Sequence, residues 1–281
     1  MAEPVQVHVI GATGRSGRAL CRSLMADRIA VVPVVRNAAK CPGARIADIT
    51  DTPRLRDALR DATHIVSTAH ARYAGAVIDA AAPSAQLTFL GSTRKFTRWP
   101  DAHGSGVIAG EAAFLASGRN GVMLHPTMIY GAQGEDNVQR LAALLRRLPF
   151  VPLPGGGRAL VQPIHQDDVT RAIRATLGRS WNGPYSLVIA GPVPLPYADF
   201  VRAIAAATGQ RMPSVIAIPA ASLMALGTLL RYIPFIPRIR PEEIRRLMED
   251  KSFDVQPMVD ALGFKPMPLE EGLARTFTDR S

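Results

Sequence analysis

Seven residues near the start of the chain have the composition of a phosphate cradle: Gly11-Ala12-Thr13-Gly14-Arg15-Ser16-Gly17. They follow a short apolar run rich in β-branched residues, Val5 to Ile10. They precede a segment, Arg18 to Asp27, that carries Ala19, Leu20, Leu24 and Met25 at helical spacing. A glycine-rich turn between a strand and a helix is the context in which such a motif binds pyrophosphate. Gly11 permits the tight turn, Gly14 lets the backbone approach a pyrophosphate, and Gly17 lets the helix pack closely on the sheet. Thr13, Arg15 and Ser16 fall between them as further contacts. The helix start then presents free N–H groups and a partial positive charge to the phosphates. At the end of the second strand an acidic residue would bond a ribose 2′-hydroxyl, but Arg36 stands there instead. Arg36 and Arg15 together could clamp a 2′-phosphate, so NADP(H) is favoured, with NAD(H) the alternative.

The elements that must position these residues alternate. Strands are expected at Val5–Ile10, Ala30–Val35 (with Pro33 inside it), Arg45–Ile49, His64–Ala69, Leu87–Leu90 and Gly121–Leu124. Helices are expected at Arg18–Asp27, Pro53–Arg60, Tyr73–Ala82 and Ser105–Ser117. Strands alternating with helices imply parallel βαβ units and a doubly wound α/β sheet of the Rossmann type. After about residue 126 the pattern loosens and prolines multiply. We therefore expect a dinucleotide-binding domain over 1–125 and a smaller C-terminal lobe over 126–281, interleaved with the sheet and built over its open end.

Composition sets the class. The 281 residues are 47% hydrophobic, enough for a buried core in one domain or two merged lobes. Cys21 and Cys41 show no metal-ligand spacing and read as reduced thiols of a cytosolic protein. Met1-Ala2-Glu3-Pro4 runs directly into a strand, which argues against a signal peptide. The longest apolar stretch, Val215 to Leu230, is interrupted by Pro219, Ser222, Gly227 and Thr228, too often for a membrane span. The net charge of +10, almost all from arginine, is open to general solubility, an anionic membrane surface or phosphorylated ligands. An apolar helix over Pro219–Ile239, with Arg231, Arg238, Arg240, Arg245 and Arg246 around it, would suit a peripheral membrane contact or a lipid-linked substrate. The same helix packed on its own lobe is the simpler alternative.

Beyond the glycine turn, further segments occur in order. They are Val34-Val35-Arg36-Asn37, Ala47-Asp48-Ile49-Thr50-Asp51, Ser67-Thr68-Ala69, His125-Pro126-Thr127-Met128-Ile129-Tyr130-Gly131, Gln162 to Val169, and Asp260 to Pro266. Together with the G-x-x-G-x-x-G spacing, this succession resembles the extended and atypical short-chain dehydrogenase/reductases over nearly the whole chain. The resemblance implies that Asp48 and Ile49 lie at the adenine and Ala69 beside the ribose, with Pro126 among the cofactor contacts. It also implies reductase or epimerase-like chemistry on a small molecule, and no nucleic acid.

At the expected catalytic centre the sequence departs from that family. Active members use a tyrosine with a lysine four residues later, the hydroxyl shuttling a proton and the ammonium holding the ribose. No Y-x-x-x-K occurs here. Alignment on Glu111 puts His103 in the tyrosine's place and Val107 in the lysine's. Ser92 or Thr93, on the strand end Leu90-Gly91-Ser92-Thr93-Arg94, would hold the substrate oxygen, and His103, Tyr130 or water would supply the proton. The cation-rich segment Ser92 to Trp99 could grip a phosphorylated substrate, bring Lys95 into the site, or be a solvated loop. Two readings of function follow: an NADP(H)-dependent reductase or epimerase with a non-standard site, or a catalytically silent nucleotide-binding protein. The second would resemble Rossmann accessory subunits of respiratory complex I, or redox-sensing regulators.

Overall fold

The computed structural model describes residues 5–37, 39, 41–131, 137–147, 150–222 and 241–278. The first half alternates strand and helix: β1 (Gln6–Ile10), α1 (Arg15–Ala26), β2 (Ala30–Val35), β3 (Arg45–Ile46), α2 (Thr52–Leu59), β4 (His64–Ser67), α3 (Ala74–Ala80), β5 (Gln86–Leu90), α4 (Ala102–Ala116) and β6 (Gly121–Pro126). The second half runs through β7 (Ile129–Tyr130), α5 (Asn137–Leu145), β8 (Phe150–Pro154), β9 (Leu160–Val161), β10 (Ile164–His165), α6 (Gln166–Leu177), β11 (Pro184–Ile189), β12 (Leu195–Pro196), α7 (Tyr197–Ala207) and β13 (Ser214–Ile218). Three helices, Pro241–Arg246, Gln256–Leu262 and Leu269–Thr278, follow.

Seven strands form one parallel sheet in the order β11-β6-β5-β4-β1-β2-β3. The order reverses at β1, and a ligand crevice forms beyond the strand ends at such a reversal. Helices cover both faces, as near-continuous apolar parallel strands require. Leu55, Leu59, Val77, Val107 and Phe114 pack one face, from α2, α3 and α4. Leu20, Leu24, Val169, Ile173 and Met258 pack the other, from α1, α6 and the helix Gln256–Leu262. A third apolar cluster, around Tyr130, Val138, Leu153, Phe200, Ile204 and Leu273, lies among the later elements. β11 comes from beyond residue 126 yet completes the main sheet.

Several element boundaries differ from those expected from sequence, each for a local reason. α4 begins at Ala102 because Asp101 caps it, its carboxylate accepting from Gly104 N–H at 2.8 Å. His103 is therefore in the first helical turn, not in the loop that Gly104 suggests. β3 ends at Ile46 because Asp48 folds the chain back, accepting from the Thr50 N–H and hydroxyl at 3.0 and 2.7 Å. β6 runs on to Pro126 because β11 pairs with all six of its residues. Pro33 is tolerated because β3 runs alongside only Val34 and Val35. Val215–Ile218, the start of the long apolar stretch, is part of strand β13, paired with β8. The expected helix from residue 223 to Ile239, with Arg231, Arg238 and Arg240, lies outside the described residues. No helix among the described residues is long and apolar enough to cross a membrane.

Candidate active site

The glycine turn has the geometry of a phosphate cradle. Gly11 takes φ +80°, and a Cβ there would stand 2.8 Å from Thr68 Oγ1. A Cβ on Gly17 would overlap the Gly11 carbonyl oxygen. Gly14, extended at φ −71° and ψ 168°, caps α1 without any side-chain bond, and the first turn holds no acidic residue. The first intrahelical bond runs from Arg18 N–H to Gly14 O, so the amides of Ser16 and Gly17 precede it. An anion is the natural partner of such a start, and these residues fit a dinucleotide pyrophosphate. Ser16 donates its hydroxyl to Gln166 Oε1 at 3.0 Å, so its offer to a phosphate is mainly the backbone amide.

The neighbouring strand ends bring the other expected contacts to the same crevice. Thr68 donates to Ile10 O and Gly11 O, which sets Ala69 directly against the turn. Arg36 leaves β2 exposed, and Arg15 is exposed on α1. The Asp48 carboxyl is held below its ordinary range by the Thr50 N–H and hydroxyl, with Arg36 adding a positive field. Arg36, Asp48 and Ile49 thus share the end beyond β2 and β3.

Beyond β5 the loop is rigidly held. Ser92 caps a short 3₁₀ turn, Thr93–Phe96, by accepting from Arg94 N–H at 3.1 Å, and its own hydrogen stays available to donate. Thr93 donates its hydroxyl to Pro126 O at 3.2 Å, which makes Ser92 the better placed of the two for a substrate. His125 underpins this loop: Ser92 N–H donates to its Nδ1 at 3.2 Å, while its Nε2 lies 3.2 Å from Glu111 Oε1. Gly91 must be glycine, since a Cβ there would overlap the His125 ring. Lys95 and Ser186 both donate to Glu111, which engages the Lys95 ammonium one turn along α4 from Val107. Val107 itself is 1% exposed, in the core.

The segment Ser92 to Trp99 is no free solvated loop. Thr97 and the Arg98 N–H both donate to the buried Glu249, Phe96 meets Phe253 at 5.6 Å, and Arg245 lies over Trp99. Gln162 in turn bonds Phe253 through both ends of its amide. Residues 245–253 therefore strap the β5 loop to the later elements.

Tyr130 is sealed in the core. It is 1% exposed, its hydroxyl lies 3.5 Å from Leu269 O, and Gly272 is packed against it so tightly that a Cβ would overlap the oxygen. Burial, with nearby Asp168 and two glutamates, pushes its hydroxyl further from ionisation. Its place in the motif reflects packing. His103 does lie with the crevice residues, in contact with His70, a residue the sequence reading passed over. Its contact is with a residue 33 positions away, which no local signal marks.

Burial, with Lys95 beside it, holds His125 down to about 4, although Glu111 works the other way. An unfolded histidine titrates near 6.5. The unfolded chain therefore binds this proton first, and stability falls as pH drops from about 6.5 to about 4, then levels. Urea midpoints measured stepwise across that window should decline. His125→Gln keeps an acceptor for Ser92 and a donor for Glu111 without a titrating ring, so it should make the decline shallower, the other histidines held down by burial supplying the rest. An unchanged slope in the variant contradicts this account.

No family model matches the chain. A curated plant relative, 3β-hydroxysteroid-dehydrogenase/decarboxylase isoform 1 from Arabidopsis thaliana, is 26% identical over 197 residues, 63% of this chain and 45% of that protein. The chain thus spans under half the length of that relative. Among solved structures, the NADPH complex of the Escherichia coli NADPH-dependent quinone oxidoreductase QOR2 superposes with a TM-score of 0.76 at 18% identity, covering 97% of this chain and 100% of that one. MoeE5 in complex with UDP-glucuronic acid and NAD gives 0.74 at 20% identity, over 98% and 99% of the two chains. An Agrobacterium tumefaciens short-chain dehydrogenase/reductase superfamily protein with bound NAD gives 0.72 at 12%, over 98% and 97%. The chain shares the Rossmann-type α/β fold of these solved structures. Among these neighbours are proteins solved with NAD or with NADPH, so the fold is one that carries either cofactor.

Proposed function

We propose that the chain binds NADP(H) along its glycine turn and reduces a carbonyl group of a small molecule at a non-standard site. The observation that carries this reading is the uncapped start of α1, set against β4 at the reversal of strand order, with Ser92 beyond the end of β5 and His103 in the first turn of α4. Gly11, Thr13, Gly14, Ser16 and Gly17 would hold the pyrophosphate. Asp48 and Ile49 would face the adenine, Ala69 the ribose and Pro126 the reactive end. The cofactor, when bound, supplies hydride. Ser92 would orient the substrate oxygen with its hydroxyl, and His103 would give that oxygen a hydrogen bond as negative charge develops and, once the ring has taken up a proton from solvent, pass that proton on and return to neutral imidazole.

Arg36 and Arg15 favour NADP(H). Arg36→Ala should weaken NADPH by about 1–3 kcal/mol through loss of a charge-assisted contact and leave NADH nearly unchanged. Calorimetric titration with both cofactors measures this. Equal losses would show that Arg36 does not read the 2′-phosphate. Failure of both cofactors to bind at millimolar concentration would refute the whole reading.

A second reading, a catalytically silent nucleotide-binding subunit or regulator, draws on Val107. A buried valine gives the ribose no ammonium and offers no group to tune a proton donor. Carbonyl reduction that appears only after the joint change His103→Tyr and Val107→Lys would favour it. The substrate under the first reading is a small molecule, phosphorylated or lipid-linked. Arg245 and Arg246 beside the strap leave a peripheral membrane contact or a larger complex open to test by vesicle flotation.

A further inference from the structure

Four side chains meet where the loops after β4 and β5 reach the start of α4. His70 Nε2 lies 3.1 Å from His103 Nδ1, and the rings meet edge to face with centroids 4.3 Å apart. Arg72 Nη2 lies 3.3 Å from the same His70 nitrogen. Arg94, ion-paired with Asp101, adds a second guanidinium whose field reaches both rings. Arg246 adds positive field to His103, while Asp101 opposes it. Next to Arg246, the mostly buried Lys251 donates to its carbonyl at 3.3 Å.

The hydrogen positions follow from the donors. Arg72 N–H donates to His70 Nδ1 at 3.1 Å, so that nitrogen carries no hydrogen in the neutral ring. Neutral His70 then has its hydrogen on Nε2 and donates it to His103 Nδ1. Neutral His103 in turn carries its hydrogen on Nε2, which has no partner among the described residues. Arg72 Nη2 and His70 Nε2 are consequently two hydrogen carriers facing each other. The cluster has more donors than acceptors: His70 Nδ1 is taken by the Arg72 N–H, which leaves His103 Nδ1 and the Asp101 carboxylate for the hydrogens of two imidazoles and two guanidiniums. Burial and the surrounding cations keep both rings neutral, His70 down to about 4.

We propose that His70, His103, Arg72 and Arg94 form an oxyanion-binding site, for a carboxylate or phosphate group carried by the substrate, and that the anion docks together with a proton. The inference rests on the reading above in placing a substrate at His103. An anion among these donors reverses the field that keeps the rings neutral, so one imidazole becomes imidazolium and a charge-assisted donor. Affinity for the anion must then rise as pH falls, by up to about tenfold per unit while one proton is taken up.

The test uses the full chain, with and without NADPH, and two probes: sulfate as the tetrahedral dianion and oxalate as the carboxylate. Imidazole C–H resonances, assigned with His70→Asn and His103→Asn, report the titration midpoint of each ring by NMR. Saturable upward movement of both midpoints is expected, with binding that tightens by about tenfold per pH unit between roughly pH 7 and 5. Tighter sulfate than oxalate points to a phosphate group, and the reverse to a carboxylate. Arg72→Ala, at an exposed position that leaves the fold intact, should weaken the better probe by about tenfold or more. Midpoints that move no further than that of the distant His64, binding without pH slope, or indifference to Arg72→Ala would each overturn the proposal. NADPH bound with no anion effect removes this inference alone. An anion effect in a chain that binds no NADPH supports the site and removes the reductase reading.

Discussion

Gly17→Ala is expected to abolish most dinucleotide binding and to destabilise the chain. The new methyl group would overlap the Gly11 carbonyl oxygen and stand 2.9 Å from Ala12 Cα. Both are backbone atoms of the turn itself, so no side chain can swing away to make room. Overpacking of this kind costs about 1–3 kcal/mol, felt as a lower melting temperature. The turn can accept the methyl only by opening, which withdraws the Ser16 and Gly17 amides from any phosphate. Affinity for NADPH should fall at least about tenfold, since about 1.4 kcal/mol of misplaced contact is enough. Gly75→Ala is the matched control, because a Cβ there meets nothing within 4 Å. Thermal denaturation and fluorescence titration with NADPH measure the two effects separately. Wild-type affinity in Gly17→Ala would remove the turn from the binding site.

His103→Asn should lower carbonyl reduction by about 10²–10⁴-fold, the usual effect of losing a positioned acid, while NADPH affinity stays near wild type. The reason lies in the partner ring. His70 donates to His103 Nδ1 and leaves the hydrogen of His103 on Nε2, so the ring acts on a substrate as a donor. Burial, with Arg94 next, keeps His103 neutral until negative charge appears beside it. Asparagine can still donate a hydrogen bond but cannot take up or release a proton. Rapid-mixing assays of NADPH oxidation against a panel of aldehydes and quinones, run on both proteins, give the comparison. Turnover that survives the substitution unchanged would place the proton source elsewhere, with water the remaining candidate once Tyr130 is excluded by its burial.

The fold was legible because its signals are local. The glycine turn, the apolar strands and the helical spacing of Leu20 and Leu24 each depend on a few neighbouring residues, and they recur in the structure at nearly the expected places. The candidate site was legible only where it coincides with those signals. His103 came into view through its spacing from Glu111, whereas His70 is a lone histidine after a strand, and nothing local marks it. Its meaning depends on contact with a residue 33 positions away. Tyr130 shows the opposite failure. It sits in a motif whose form implies chemistry, yet Gly272, far along the chain, seals its hydroxyl in the core. The grip of Glu249 on Thr97 and Arg98 is likewise invisible along the sequence, since it spans about half the chain.

β11 pairs along all six residues of β6. This has a consequence during synthesis on the ribosome. The chain leaves β6 at Pro126 and does not reach β11 until Pro184. At a typical ~5–20 residues per second, that interval lasts roughly 3–12 s. Throughout it, the outer edge of β6, a strand whose six residues are all buried in the finished fold, carries unpaired backbone N–H and C=O groups, the kind of edge that recruits foreign strands. The nascent chain in this window is a natural client for a chaperone. Stalled chains released near residue 180 should aggregate, whereas chains released after Ile189 should not.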